Sequence, residues 1–386
     1  MEQHEEFAEF SLLGGPFHRL GCRLGLVREG GNTIALGLAL GVFLWAILLL
    51  LAFIEGTDRQ ILSFSVIGVH MRLLVAIPLF FLCETRLDPE MAAFVRGMVR
   101  SRIVPETALP ALDSQVAYTA RWREAWLPEI MCLLAAALLL FVAPHKHLMG
   151  ITVARELLPV GDEMTFTSGW YWLVCMTLFR FLLFRWLWRL GLWWRFLWRV
   201  SRLELNLVPT HPDGVAGLGY LEVVHGEFAF LVLAISAVQS ASFAEAISAG
   251  TMKTAVVYPE FVLNLILYLA LFLGPLLIFT AKLHKCRVQG LRDYMVLGAH
   301  YVSEFDKKWL GPSAAGRPLL GTPDVRSLAD LAKSVRVVRD MRLIPASRRM
   351  LIAIAVVALL PMLPLFLLEY PVDALTRSLV RKLFGL

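Results

Sequence analysis

Apolar residues run through this chain in long blocks, broken by short polar stretches with no strand-like alternation. Blocks near 33–54, 68–84, 125–143, 169–190, 220–243, 257–281 and 350–368 approach the roughly 20 residues that cross a bilayer as a helix. The pattern predicts an all-α, polytopic transmembrane helix bundle of about seven spans. Between them, 86–124 predicts a helical pair. The segment 282–349 predicts a cytoplasmic helical hairpin: Thr322 can cap a helix, Pro323 suits its first turn, Asp324 complements its positive end and Pro345 follows its stop. Val325, Leu328, Ala332 and Val335 would form its apolar stripe. The organisation expected is therefore 1–281 as bundle, 282–349 as cytoplasmic segment and 350–386 as a last membrane segment with an interfacial tail. Pro361 and Pro364 interrupt that last segment. In the tail, Leu375, Leu379, Leu383 and Leu386 share a face opposite Arg377 and Arg381, predicting a C-terminal amphipathic helix in the interface.

Composition agrees with this class: 58% of the 386 residues are hydrophobic, 18% are charged and the mean hydropathy is +0.66. No soluble domain hides so much apolar surface. The acidic, glycine-broken start lacks the basic region and apolar core of a secretory signal, so the first span is expected to be retained. The five cysteines are scattered without a C-x-x-C pair, which argues against disulfide scaffolds and thiolate metal sites. Charge sets the orientation. Loops 55–67, 144–168 and 244–256 carry only Arg59, Lys146, Arg155 and Lys253 of the 37 Lys and Arg. The positive-inside rule then places them outside and the N-terminus in the cytoplasm. No internal repeat of span pairs is visible, so the inverted-repeat signature of secondary transporters is missing.

The stretch "FRFLLFRWLWRLGLWWRFLWRVSR" changes the picture most. Arg180, Arg185, Arg189, Arg195, Arg199 and Arg202 fall on one half of a helix, and Trp172, Trp186, Trp193 and Trp194 on the other. Tryptophans in the lipid interface and arginines toward headgroups, water or protein would make an anchor. Alternatively Arg185, Arg189, Arg195 and Arg199 form an anionic-lipid or anion site. The irregular spacing does not fit a voltage sensor. Arg180 lies deep enough to require a partner.

"LVPTHPDGVAGLGYLEVVHGE" follows. Pro209 and Pro212 end the arginine helix, and Asp213 with Gly214 suits a turn and cap. The His-Pro-Asp tripeptide lacks the flanks of J-domain co-chaperones, and His225 with Glu227 lacks zinc-hydrolase spacing. Glu222 and His225 form one E-x-x-H unit, which di-iron bundles use twice; no second copy occurs, so no metal and no cofactor are expected. Glu222, His225, Ser236, Gln239 and Ser240 instead share one face of the fifth span, while Glu260, Asn264 and Tyr268 share one face of the sixth. Such stripes line a polar path or serve helix packing. His70 and Arg72 open the second span from the outer side; if the helix starts at Ile61, Arg72 is a natural partner for Glu260.

Four stretches, "GVHMRLLVAIPLFFLCE", "RLELNLVPTHPDGVAGLGYL", "GTPDVRSLADLAKSVRVVRDMR" and "LPMLPLFLLEYPVDAL", together resemble a family of bacterial polytopic inner-membrane proteins over most of the chain. The resemblance implies a bacterial inner (plasma) membrane location and transfers no catalytic residue. Three functions stay open. The first is a channel or transporter lined by spans five and six through Glu222, His225, Ser236, Gln239, Glu260, Asn264 and Arg180. The second is an enzyme acting on a lipid or lipid-linked substrate, with His211 and Asp213 handling protons; nucleophile motifs and phosphate loops are missing. The third is a scaffold or effector working through the basic hairpin. Expected partners are membrane lipids, anionic ones first, and further copies of the chain in a homo-oligomer; nucleic acid is not expected.

Overall fold

The computed structural model describes residues 10–12, 14–15, 19, 33–142, 164–252, 254–310 and 323–365. Among them the chain is helical, with no strand. In chain order the main helices are α1 (Thr33–Ile54), α2 (Phe64–Arg100), α3 (Leu109–Arg123), α4 (Trp126–Val142) and α5 (166–200). They continue as α6 (Tyr220–Ser248), α7 (Thr254–Leu277), α8 (Thr280–Trp309), α9 (Pro323–Arg339) and α10 (Arg348–Leu365). Thr322 and the amphipathic tail with Leu375, Arg377 and Arg381 lie outside the described residues.

Among the described residues, five helices are long and apolar enough to cross a membrane: α1, α2, α6, α7 from Val257 onward, and α10. The chain is an integral membrane protein. Seven spans were expected, and the two that fall short do so for identifiable reasons. The apolar part of α4 covers only Trp126–Leu140. In α5, arginines interrupt every apolar window, yet Arg180, Arg185 and Arg189 are buried inside the protein and do not face lipid. The second span is also much longer than 68–84. At 1.5 Å per residue the 37 residues of α2 reach about 55 Å, well beyond a bilayer core of about 30 Å. Its far end replaces the first half of the helical pair expected in 86–124.

Close helix contact organises the centre. Gly37 and Gly41 form a G-x-x-x-G face on α1, and a Cβ at Gly41 would collide with the Leu73 carbonyl oxygen of α2. Bulky residues elsewhere on α1, including Leu38, Phe43 and Phe53, are exposed as expected of lipid-facing positions. On α5 the expected lipid-facing tryptophans turn inward: Trp172, Trp186 and Trp193 are buried. Trp193 stacks on Phe196 with centroids 5.6 Å apart and meets Phe94 edge-on at 6.1 Å. The helix is wrapped by protein on both sides, so its two chemically distinct faces meet different neighbours.

Beyond the apolar belt, α8 and α9 pack antiparallel. Arg287 near the start of α8 donates to the Arg339 carbonyl at the end of α9 (2.5 Å), while Lys308 and Trp309 both reach the Asp324 carboxylate (2.5 and 3.0 Å). The Lys308 ammonium holds Asp324 below the usual carboxylate range.

Candidate functional site

The 209–219 loop is a structural joint. Asp213 accepts backbone N–H bonds from Val215 (2.9 Å), Gly217 (3.0 Å) and Gly219 (2.8 Å), and its Oδ1 lies 2.9 Å from His211 Nδ1. Gly217 adopts φ +100°, and a Cβ there would meet Ile103 at 2.8 Å. Burial alone would raise the Asp213 pKa; the N–H groups of Val215, Gly219 and Gly217, with His211, outweigh it and hold the group below its ordinary value. His211 and Asp213 are thus adjacent, but the carboxylate is occupied with closing the turn. Arg342, just past α9, donates to the Asp213 carbonyl and to Glu222 Oε2 (both 3.0 Å), and its own N–H bonds to the Gly214 carbonyl (2.8 Å).

Asp213→Ala should therefore destabilise the protein by about 2 kcal/mol, since several donors lose one acceptor. With a folded pKa below the unfolded one, the carboxylate contributes fully at neutral pH. Its contribution fades as pH falls below about 4, the ordinary aspartate range, toward the lower pKa of the folded state. Thermal unfolding against pH should show that acid-limb loss in the native chain and a flatter limb in the variant.

The polar stripe of α6, expected to line a path with the sixth span, is divided among neighbours. Glu222 pairs with Arg342. His225 is locked as a neutral tautomer: Trp193 Nε1 donates to its Nε2 at 3.1 Å, and its Nδ1 bonds the Phe272 carbonyl at 2.6 Å. Neither ring nitrogen is left for a metal, and Glu222 faces elsewhere. Ser236 and Ser240 donate to the Ala358 and Pro361 carbonyls of α10, the latter at 2.5 Å. Gln239 bonds Asn264 (3.2 Å) and accepts from the Tyr268 hydroxyl. Among the described residues, no group of three or more His, Cys, Asp or Glu is placed to hold a metal ion.

The arginine face is likewise reassigned. Arg189 pairs with Glu84 at 2.6 Å and Arg185 with Glu129 at 3.3 Å, all four buried, and both arginines donate to the Gly14 carbonyl (3.3 and 2.8 Å). These two face protein, not headgroups. Arg195 lies over the Tyr118 ring at 3.5 Å, and only Arg199 and Arg202 flank the half-exposed Trp198.

The most unusual chemistry sits at the opposite end of the bundle. α2 is π-helical over Met71–Ala76 and α5 over Trp170–Met176. Such widened turns occur mostly as isolated features and often at functional sites. In α2 the segment ends just before Pro78, whose missing N–H disfavours a regular turn; in α5 it follows a Thr165–Ser168 capping box. The two segments meet where Arg72 Nη1 donates to the Tyr171 hydroxyl at 3.0 Å, and Arg72 Nη2 reaches Ser242 Oγ of α6 at 3.2 Å. One turn further on α6, Glu245 accepts the Gly68 N–H through Oε1 at 2.6 Å.

Gly68 is required there. An added Cβ would lie 2.8 Å from Glu245 Oε1 and 3.1 Å from Arg72 Nη1, so guanidinium and carboxylate converge over this glycine. Glu245 is 0% exposed, and its Oε2 has no hydrogen-bond partner among the described residues. Near the cluster, His70 Nδ1 accepts from Trp45 Nε1 (2.9 Å), and its Nε2 lies 2.8 Å from the Ile61 carbonyl.

Arg72 is thus buried, as a helix starting well before it required, but its hydrogen bonds go to Tyr171 and Ser242, and the carboxylate beside it is Glu245, close by but not in direct ion-pair contact, in place of Glu260. Glu260 sits half-buried on α7 with one buried oxygen unbonded. Sequence reasoning missed Glu245 because it ended the fifth span at residue 243; α6 continues to Ser248. The usable signal was an acid inside the small-residue run "SASFAEAIS". Comparison of the chain with known protein families, with curated proteins and with solved structures returned no match.

Proposed function

We propose that this integral membrane protein handles ions, as a channel or transporter, and that the Glu245 carboxylate opposed to Arg72 is its gating or coupling group. One observation carries the reading: a fully buried carboxylate with an unsatisfied oxygen, inside a membrane-crossing helix, facing two π-helical segments. Ionisable groups at such depth are expensive and mark ion or proton sites by default. As a carboxylate, Glu245 balances Arg72. As a neutral acid it would release Arg72, whose donors could then turn to an anion or to Tyr171 and Ser242 alone. Two arrangements of one pair, differing by one proton, are the elements of a switch. The path runs beside α2, α5 and α6, away from the α6–α7 contact. The charge bias and the family resemblance support a bacterial plasma-membrane location with the α8–α9 hairpin in the cytoplasm.

Proteoliposomes with an imposed pH gradient and an internal pH dye test this. Glu245→Gln, nearly isosteric and uncharged, should abolish the flux, whereas Glu222→Gln should leave it intact. Wild-type flux through the Glu245→Gln protein would reject the proposal.

A further inference from the structure

The loop at 203–209 and the first four turns of α8 enclose a cavity of about 470 Å³. Its walls are of three kinds. Leu205 and Leu207 are apolar, Lys282 and Lys285 are cationic, and Glu204 and Asp293 are anionic. The charges are close enough to act on one another: Lys282 is attracted by Glu204 and repelled by Lys285. Lys282 also donates to the Leu203 carbonyl near the end of α5. Lys285 is exposed and has no hydrogen bond or ion pair among the described residues. Two ammonium groups beside one space, one of them uncommitted, suit an anion better than they suit each other.

Depth identifies the source of that anion. The apolar belt of α7 ends at Leu277, which is 55% exposed, and Lys282 follows at the start of α8. At the end of α5, Trp198 is 42% exposed and flanked by Arg199 and Arg202 at 5.0 and 5.2 Å, the pattern of a residue at the membrane boundary. The cavity therefore opens at headgroup level. We propose that it receives the headgroup of a phospholipid, with the phosphate against Lys282 and Lys285, the amine or hydroxyl end against Glu204 and Asp293, and the glycerol along Leu205 and Leu207. This assignment is independent of the role given to Glu245. It moves lipid recognition from the buried Arg185 and Arg189 to a different element.

Binding of dioctanoyl phosphatidylethanolamine to the detergent-solubilised full chain, followed by thermal shift, tests the proposal. Dioctanoylglycerol and inorganic phosphate serve as the other probes. The phospholipid should bind saturably, dioctanoylglycerol should not, and Lys285→Glu should weaken binding about tenfold or more. Because Lys285 is exposed, that variant should fold; Lys282→Gln provides a second, independent loss. Equal phospholipid affinity in native and Lys285→Glu proteins overturns the site. Equal binding of dioctanoylglycerol would mean apolar contact alone, and inorganic phosphate matching the phospholipid would mean a soluble anion; either result overturns the headgroup assignment.

Discussion

Arg72→Leu is expected to destabilise the protein by about 3–5 kcal/mol, because it leaves Glu245 buried with no opposing charge. The Gly68 N–H at 2.6 Å would be its remaining donor, and one neutral bond does not replace the hydration of a carboxylate. Glu245→Leu should cost a similar amount by stranding Arg72, although Tyr171 and Ser242 still accept from the guanidinium. The informative chain is Arg72→Leu with Glu245→Leu. Removing both charges removes the desolvation cost with them, so the double variant should recover most of the lost stability. Denaturant unfolding in detergent measures the cycle, and simple addition of the two single losses would refute an interacting pair. Stability and flux should then separate: the double variant is expected to fold and to carry no pH-driven flux. That combination distinguishes a working pair from a structural one.

A second loss of about 3–5 kcal/mol is expected for Glu84→Leu. It breaks the 2.6 Å bond to Arg189 in a place where both side chains are almost fully enclosed. Arg189 would keep its hydrogen bond to the Gly14 carbonyl, at 3.3 Å. The consequence should spread to the N-terminal segment. Phe10 packs on Phe196 at 4.6 Å, Ser11 and the Leu12 N–H bond Asp88 at 2.8 Å, and Gly14 is held by Arg185 and Arg189. Amide exchange of Leu12 should accelerate in Glu84→Leu along with the fall in stability. Arg189→Lys should not substitute well, since one ammonium cannot reproduce the forked contact with both Glu84 and Gly14.

Much of the fold was legible because length and apolarity decide whether a helix can cross a bilayer, and α1, α6, α7 and α10 carry that signal in their length and mean hydropathy. The cap at Asp213 was legible as well, because turn chemistry is local. Partners were not. A helical period tells which residues share a face, as it did for Glu222, Ser236 and Gln239, but not that one face meets Arg342, α10 and α7 in succession. The same limit hid the roles of Arg185 and Arg189: their spacing suggested lipid, while Glu129 and Glu84, single acids on distant helices, supplied the partners. Tyr171 and Glu245 were invisible for another reason. Both depend on departures from regular helix geometry or length, the π-turn at Trp170–Met176 and the extension of α6 to Ser248, which a fixed period of 3.6 residues does not encode.

One further consequence follows from the joint at Arg342. This side chain grips Glu222 at one end of α6, and Glu245 lies near the other end, 23 residues on and about 35 Å away along the axis. A hydrogen-bonded helix is stiff along its length and cannot shorten to absorb a push. A displacement of the α8–α9 arm that carried Glu222 along would therefore be passed toward the carboxylate, except for what is taken up at Phe228, where the regular winding of α6 is interrupted. In mechanical terms α6 would act as a pushrod with a compliant point at Phe228, connecting the α8–α9 arm to the buried charge near its other end.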